Sequence, residues 1–166
     1  RARDKQIIKK AGISLYTNEE IEDILTHYSD FDFIQIPFNL FDNASKRKAL
    51  LEKAKTKNIE VHIRSVFLQG LFFKHSNSLP KKLKPLDLYL KKLDSIKEKY
   101  SLNTETLALQ YVIQKEYIDY VLIGVETSEQ LMSNITISSK KKQVPHDIID
   151  SIDIREIELL NPSNWN

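Results

Sequence analysis

One pattern constrains this chain more than any other: a short apolar segment, a turn and an amphipathic helix, occurring four times along its length. Residues 11–15 read as a buried strand. Thr17 follows as a helix N-cap, with Glu20 three residues on to complete a capping box. Ile21, Ile24 and Leu25 then give the i, i+3, i+4 spacing of a helix with one buried side. Residues 33–37 form the second strand, entered through the turn-like Ser29-Asp30 and closed by Pro37. A loop over 39–43 leads to a helix over about 44–57, with Leu50, Leu51 and Ala54 inward. Residues 59–64 are the third strand, and behind it runs an apolar loop over 66–73. A polar spacer with Pro80 and Pro85 precedes two helices, one over 86–100 and one capped by Asn103 or Thr104. The fourth strand is expected over 120–124 and its helix over about 127–135. A last helix begins at His146, before a coil over 161–165.

Strands alternating with helices imply parallel βαβ units. Four units are half of a (β/α)8 barrel, a fold of about 250 residues. A free-standing four-stranded α/β sheet is the competing topology, and periodicity leaves the choice open. The strands are expected to be buried on both faces. The length of 166 residues suits a single domain over 1–166. The chain opens Arg1-Ala2-Arg3-Asp4, without an initiator Met or a signal-peptide-like run, and is expected to be a piece of a longer protein.

Composition removes several functions. The absence of Cys excludes a disulfide scaffold, a thiolate zinc site and a Cys nucleophile, and fits a reducing, cytoplasmic setting. No run approaches the ~18 apolar residues of a membrane span. A net charge of +2 gives no case for nucleic acid, and the lysine-rich runs at 81–84, 91–92 and 140–142 read as solvated helix faces. The four histidines, His27, His62, His75 and His146, lack ligand spacing, so no metal is expected. His62, within a strand, reads as a packed core histidine. The three glycines, Gly12, Gly70 and Gly124, lie too far apart for a P-loop or a G-x-G-x-x-G turn. Any nucleotide would have to be held by other means.

Read together, the strand ends carry a resemblance. Gly12-Ile13-Ser14, Phe33-Ile34-Gln35-Ile36-Pro37-Phe38-Asn39, Arg64-Ser65-Val66-Phe67-Leu68-Gln69-Gly70-Leu71, Ile123-Gly124-Val125 with Gln130 and Asn134, and Asn161-Pro162-Ser163-Asn164-Trp165 occur in this order. The series resembles the C-terminal half of the aldo/keto reductases, particularly their bacterial branch, over essentially the whole chain. The resemblance implies strands 5–8 of a (β/α)8 TIM barrel, with NADP(H) or NAD(H) across the C-terminal mouth.

On that resemblance Ser14 and Gln35 hold the nicotinamide carboxamide, a task suited to an amide that both donates and accepts. Leu15 stands where the family usually has Asn. Arg64 replaces an aromatic ring under the nicotinamide; stacking there and pairing with a carboxylate in the mouth are both open. Ser65, Phe67 and Gln69 fall where the pyrophosphate is wrapped, and Gly70 allows close approach. Gly124 lies in the adenosine region. Gln130 and Asn134 match adenine contacts and, four apart on one helix, share a face. The helix start at Thr127 offers N–H groups to a 2′-phosphate. Glu126 would repel that phosphate but accept from a free 2′-hydroxyl, which brings NAD(H) into play.

Carbonyl reduction also needs an acid for the nascent alkoxide. The resemblance places that Tyr, with its Lys, Asp and His, in the first half of the barrel, so no catalytic residue is assigned here; Tyr16 matches no catalytic position. The implied function is NAD(P)-dependent reduction of a small-molecule carbonyl substrate by the intact protein. An isolated half barrel, with two open sheet edges, is expected to self-associate. Two alternatives are a non-catalytic barrel with a binding or regulatory role, and an α/β module that binds a partner along its open edge.

Overall fold

A computed structural model describes residues 5–75 and 78–165. Four strands, β1 (Gly12–Ser14), β2 (Phe33–Pro37), β3 (Glu60–Arg64) and β4 (Tyr120–Val121), form one all-parallel sheet in the order β1-β2-β3-β4. The helices are α1 (Asn18–His27), α2 (Ala44–Thr56), α3 (Asp87–Tyr100), α4 (Thr104–Ile113), α5 (Ser128–Ser139) and α6 (His146–Asp150). One helix crosses from β1 to β2 and one from β2 to β3, whereas α3 and α4 both lie between β3 and β4.

Local chemistry sets the helix ends. The Thr17 hydroxyl accepts from the Glu20 N–H at 3.1 Å, and the Glu20 carboxylate accepts from the Thr17 and Tyr16 N–H groups at 3.0 and 2.6 Å. These backbone bonds hold the Glu20 carboxyl below its usual range. Asn43 caps α2 through the Ser45 N–H, and Asn103 rather than Thr104 caps α4 through the Thr106 N–H at 2.9 Å. Helix α5 runs to Ser139, past the expected 135, because its polar tail continues the backbone ladder. Conversely, β4 pairs only over Tyr120–Val121, with flanking bonds from Asp119 N to Val61 O and from Leu122 N to Ile63 O, so Gly124 lies beyond the ladder. The loop over 66–73 contains a 3-10 turn, Leu68–Phe73, broken by positive φ at Gln69 and Gly70.

The expectation of burial on both faces fails. Ile34, Ile36, Val61 and Ile63 are fully buried in the core with Ile21, Leu25, Leu51, Leu107 and Val112. The residues between them, Phe33, Gln35, Glu60, His62 and Arg64, are half-buried on a face that carries no covering helix among the described residues. Successive side chains on a strand point to opposite faces, so Phe-Ile-Gln-Ile and Glu-Val-His-Ile-Arg divide between the two, whereas Pro37 at the end of β2 is buried.

At the N-terminal end of the open face lies a row of rings. Phe33 stacks on His62 with centroids 4.2 Å apart, and His62 meets Tyr120 edge-on at 4.7 Å. His62 is thus packed between rings on the open face, and not in the core as expected, because its place in β3 alternates with the buried Val61 and Ile63. Gly12 belongs to the same row: a Cβ there would lie 2.1 Å from the Phe33 ring.

Candidate functional site

The C-terminal end of the open face brings three of the sequence-derived residues together. In the strand register Ser14 lies opposite Gln35, and Arg64 lies opposite Pro37 two steps further along. Among the described residues, neither the Ser14 hydroxyl nor the Gln35 amide forms a side-chain hydrogen bond, although both flank a sheet whose other face is sealed. Leu15 turns the other way and is buried in the core, as strand alternation requires.

Arg64 stacks on a ring of its own chain. Its guanidinium lies over the Tyr16 ring, 4.2 Å from the centroid, with the Leu15 carbonyl at 3.4 Å and the Ser65 hydroxyl at 3.5 Å. Among the described residues no carboxylate pairs with it. Within the chain the guanidinium thus makes a cation–π contact, because the ring two residues beyond Ser14 is within reach.

The segment after β3 has unusual backbone. Ser65, Leu68, Gln69 and Gly70 all have positive φ, at 62°, 44°, 51° and 75°. Non-glycine residues rarely occupy this region, and such runs concentrate where a backbone is shaped for a task. The Leu68 and Gly70 N–H groups are tied back to the Ser65 and Phe67 carbonyls, each at 3.0 Å. Phe67 packs against Phe73 at 5.7 Å. At Gly70 a Cβ would meet nothing within 4 Å, so glycine answers to φ there, with open space above it.

The third group lies at β4–α5. Thr127 caps α5 by accepting from the Gln130 N–H at 3.2 Å, and the Gln130 amide oxygen in turn accepts from the Glu126 N–H at 2.8 Å. This reciprocal cap engages the oxygen of Gln130 and leaves only its NH2 for a ligand. Gln130 is exposed whereas Asn134, one turn further along α5, is buried. Among the described residues the Asn134 side chain forms no hydrogen bond. Gly124 is exposed, a Cβ there would meet nothing within 4 Å, and its φ is not positive, so the fold itself does not demand glycine at this position.

The sequence reading missed the junction that holds this mouth. Asp42 and Arg47 form a buried ion pair at 2.7 Å, and Arg47 also donates to Asn18 Oδ1 at 2.8 Å and to the Tyr16 carbonyl at 2.6 Å. Asn39 donates to the Ser65 carbonyl at 3.1 Å, and Asn43 to the Ile149 and Ile152 carbonyls at 3.0 Å each. One loop thus fixes the exits of β1 and β3 and the last helix. The available signal was three polar residues, Asn39, Asp42 and Asn43, set among Phe38, Leu40 and Phe41. Buried polar groups need partners, so such a cluster marks a junction.

Among the described residues no group of His, Asp or Glu is arranged to hold a metal ion, and no helix is long and apolar enough to cross a membrane. No curated protein matches the chain by sequence search. Similar solved structures include an aldo-keto reductase from Bacillus halodurans, in its holo form, with a TM-score of 0.69 at 17% identity over 92% of this chain and 53% of that one. A thermostable aldo-keto reductase in complex with the inhibitor epalrestat matches at a TM-score of 0.62 and 16% identity, over 92% of this chain and 50% of that one. An aldo-keto reductase from a Medee basin deep-sea metagenome library matches at 0.60 and 12%, over 92% and 51%. The chain therefore spans about half the length of these relatives. The model of the aldo/keto reductase family matches residues 2–154, and on that match the chain, with its parallel α/β fold, belongs to the aldo/keto reductase family.

Proposed function

We propose that this chain is the cofactor-binding half of an NAD(P)(H)-dependent aldo/keto reductase, its sheet supplying strands 5–8 of a (β/α)8 barrel and residues 1–166 forming one partial-barrel domain. One observation carries the reading: the Ser14 hydroxyl and the Gln35 amide, adjacent in register at the C-terminal end of the sheet, are without partners among the described residues. Unengaged donors and acceptors at that end of parallel strands are the arrangement from which barrel active sites are built. A bound nicotinamide supplies the hydride. Ser14 and Gln35 hold its carboxamide and so fix which face meets the substrate. The reversed backbone over 65–70 receives the pyrophosphate, and Asn134 with the remaining NH2 of Gln130 faces the adenine.

Glu126 sits immediately before the α5 cap, where a helix N-terminus would otherwise favour a phosphate. Its carboxylate lowers preference for NADP(H) and suits the free hydroxyl of NAD(H). The proton donor for the nascent alkoxide comes from the other half of the barrel, as does most of the wall around the small carbonyl substrate. Leu122, Leu131, Met132 and Ile135 are exposed along the β4–α5 edge, and this edge drives self-association when the half barrel stands alone.

The test is titration of the full-length protein with NADPH and NADH, followed by nicotinamide fluorescence. Glu126→Lys is expected to shift preference toward NADPH by about tenfold, the size of one charge-assisted contact of ~1.4 kcal/mol. An equal response of both cofactors would refute the assignment of the 2′ site. Absence of binding to either by the unaltered protein would refute the reading as a whole.

A further inference from the structure

Four residues soon after β3 have left-handed backbone, yet only one of them is glycine. Ser65, Leu68 and Gln69 adopt positive φ, at 62°, 44° and 51°, with a Cβ in place. That conformation crowds the Cβ against the following carbonyl oxygen. Such backbone persists only where its surroundings hold it. Leu68 is held by packing, since its side chain is fully buried in the core. Ser65 is only half-buried, and its hold is of another kind.

The Ser65 carbonyl accepts two hydrogen bonds, one from the Leu68 N–H at 3.0 Å and one from Asn39 Nδ2 at 3.1 Å. Asn39 is fully buried, and its orientation is fixed from the other side. Its Oδ1 accepts from the Phe41 and Asp42 N–H groups at 2.9 and 3.0 Å, and its own N–H donates to the Asp42 carbonyl at 3.0 Å. With the oxygen engaged in that turn, the NH2 is aimed at Ser65. The task needs an acceptor and a donor on one short side chain, which is what an asparagine amide supplies. The exits of β2 and β3 are joined by a backbone bond from the Phe38 N–H to the Arg64 carbonyl at 3.2 Å. One residue on, where Ser65 turns left-handed, the Asn39 side chain makes the next link.

We propose that Asn39 is a positioning residue for the dinucleotide. By holding the Ser65 carbonyl it keeps the segment over 65–70 in the shape that receives the pyrophosphate, while itself lying buried behind that segment. A segment that held this shape for a fraction of the time would bind in proportion to that fraction. The inference rests on the proposed cofactor reading and adds to it a residue that acts through the backbone of another.

The experiment titrates the full-length protein with NADPH and NADH, followed by nicotinamide fluorescence. Asn39→Asp keeps the acceptor for Phe41 and Asp42 and loses the donor to Ser65. Asn39→Ser keeps an oxygen on a side chain too short to reach Ser65, and serves where the buried carboxylate prevents folding. Either variant is expected to raise Kd for both cofactors about tenfold, as for the loss of one buried hydrogen bond. Glycine adopts positive φ unaided, so in a Ser65→Gly background the same Asn39 substitution should cost no more than about twofold. Asn43→Ala controls for general loosening of the loop, since Asn43 holds the Ile149 and Ile152 carbonyls and not Ser65. It should lower Tm yet leave Kd within about twofold. Unchanged affinity in the Asn39 variants overturns the inference. So does an equal loss in Asn43→Ala, or a tenfold loss that persists with Ser65→Gly. Binding by the unaltered protein with no effect at Asn39 refutes the inference alone, whereas no binding by the unaltered protein refutes the cofactor reading and the inference with it.

Discussion

The two faces of the sheet are built from alternate residues of the same strands and do opposite work. On the helix side Ile34, Ile36, Val61 and Ile63 are fully buried, and every one is β-branched and apolar. On the open side the neighbours Phe33, Gln35, His62 and Arg64 are half-buried, mixed in chemistry and joined by rings and cation–π contacts rather than by aliphatic packing. The core is built on one face, and the residues proposed for recognition stand on the other, separated by the thickness of a single strand.

Adjacent residues of β2 put this contrast to its strongest test. Ile36→Ala should destabilise the chain by about 2–5 kcal/mol in urea unfolding, because it opens a cavity among fully buried side chains. A loss below ~1 kcal/mol would mean the helix side is not the face that holds the fold. Gly12→Ala tests the ring row of the open face. Its Cβ displaces the Phe33 ring from His62 at an expected cost of about 1 kcal/mol, with a change in near-ultraviolet circular dichroism. Gln35→Ala should change stability by no more than about 0.5 kcal/mol, yet weaken both nicotinamide cofactors. If it unfolds the chain instead, Gln35 belongs to the structural face.

The smallest effect lies away from the open face. Burial, followed by the nearby Lys115, pushes the His146 ring below its ordinary value of 6.5. The folded chain therefore binds this proton less readily than the unfolded chain does. Stability from this group is present above pH 6.5 and is lost as the pH falls through the lowered value. His146→Gln should flatten that acid limb of a Tm-against-pH curve without altering cofactor affinity at neutral pH.

Much of the architecture was legible locally. The capping box at Thr17 and Glu20 and the strand over 33–37 follow from rules that act within four or five residues. The mouth was legible only in part. Ser14 and Arg64 close their strands and Gln35 lies midway along β2, but the contacts that shape the mouth lie far apart in sequence: Tyr16 lies 48 positions before Arg64, and Asn43 bonds carbonyls more than 100 positions on. Gln130 shows the reverse case, since its cap is local and the reading toward a distant ligand overlooked it.

By itself, then, the sequence determined a chain of βαβ units with no glycine-rich loop and a set of polar residues at the strand ends. Those properties follow from side-chain periodicity and turn chemistry, which are local. Only the tertiary structure decided that one face of the sheet is left open, that Gly12 makes room for a ring, and that Arg64 stacks on Tyr16. Each of these depends on which strands lie side by side and in what register, and long-range packing sets both.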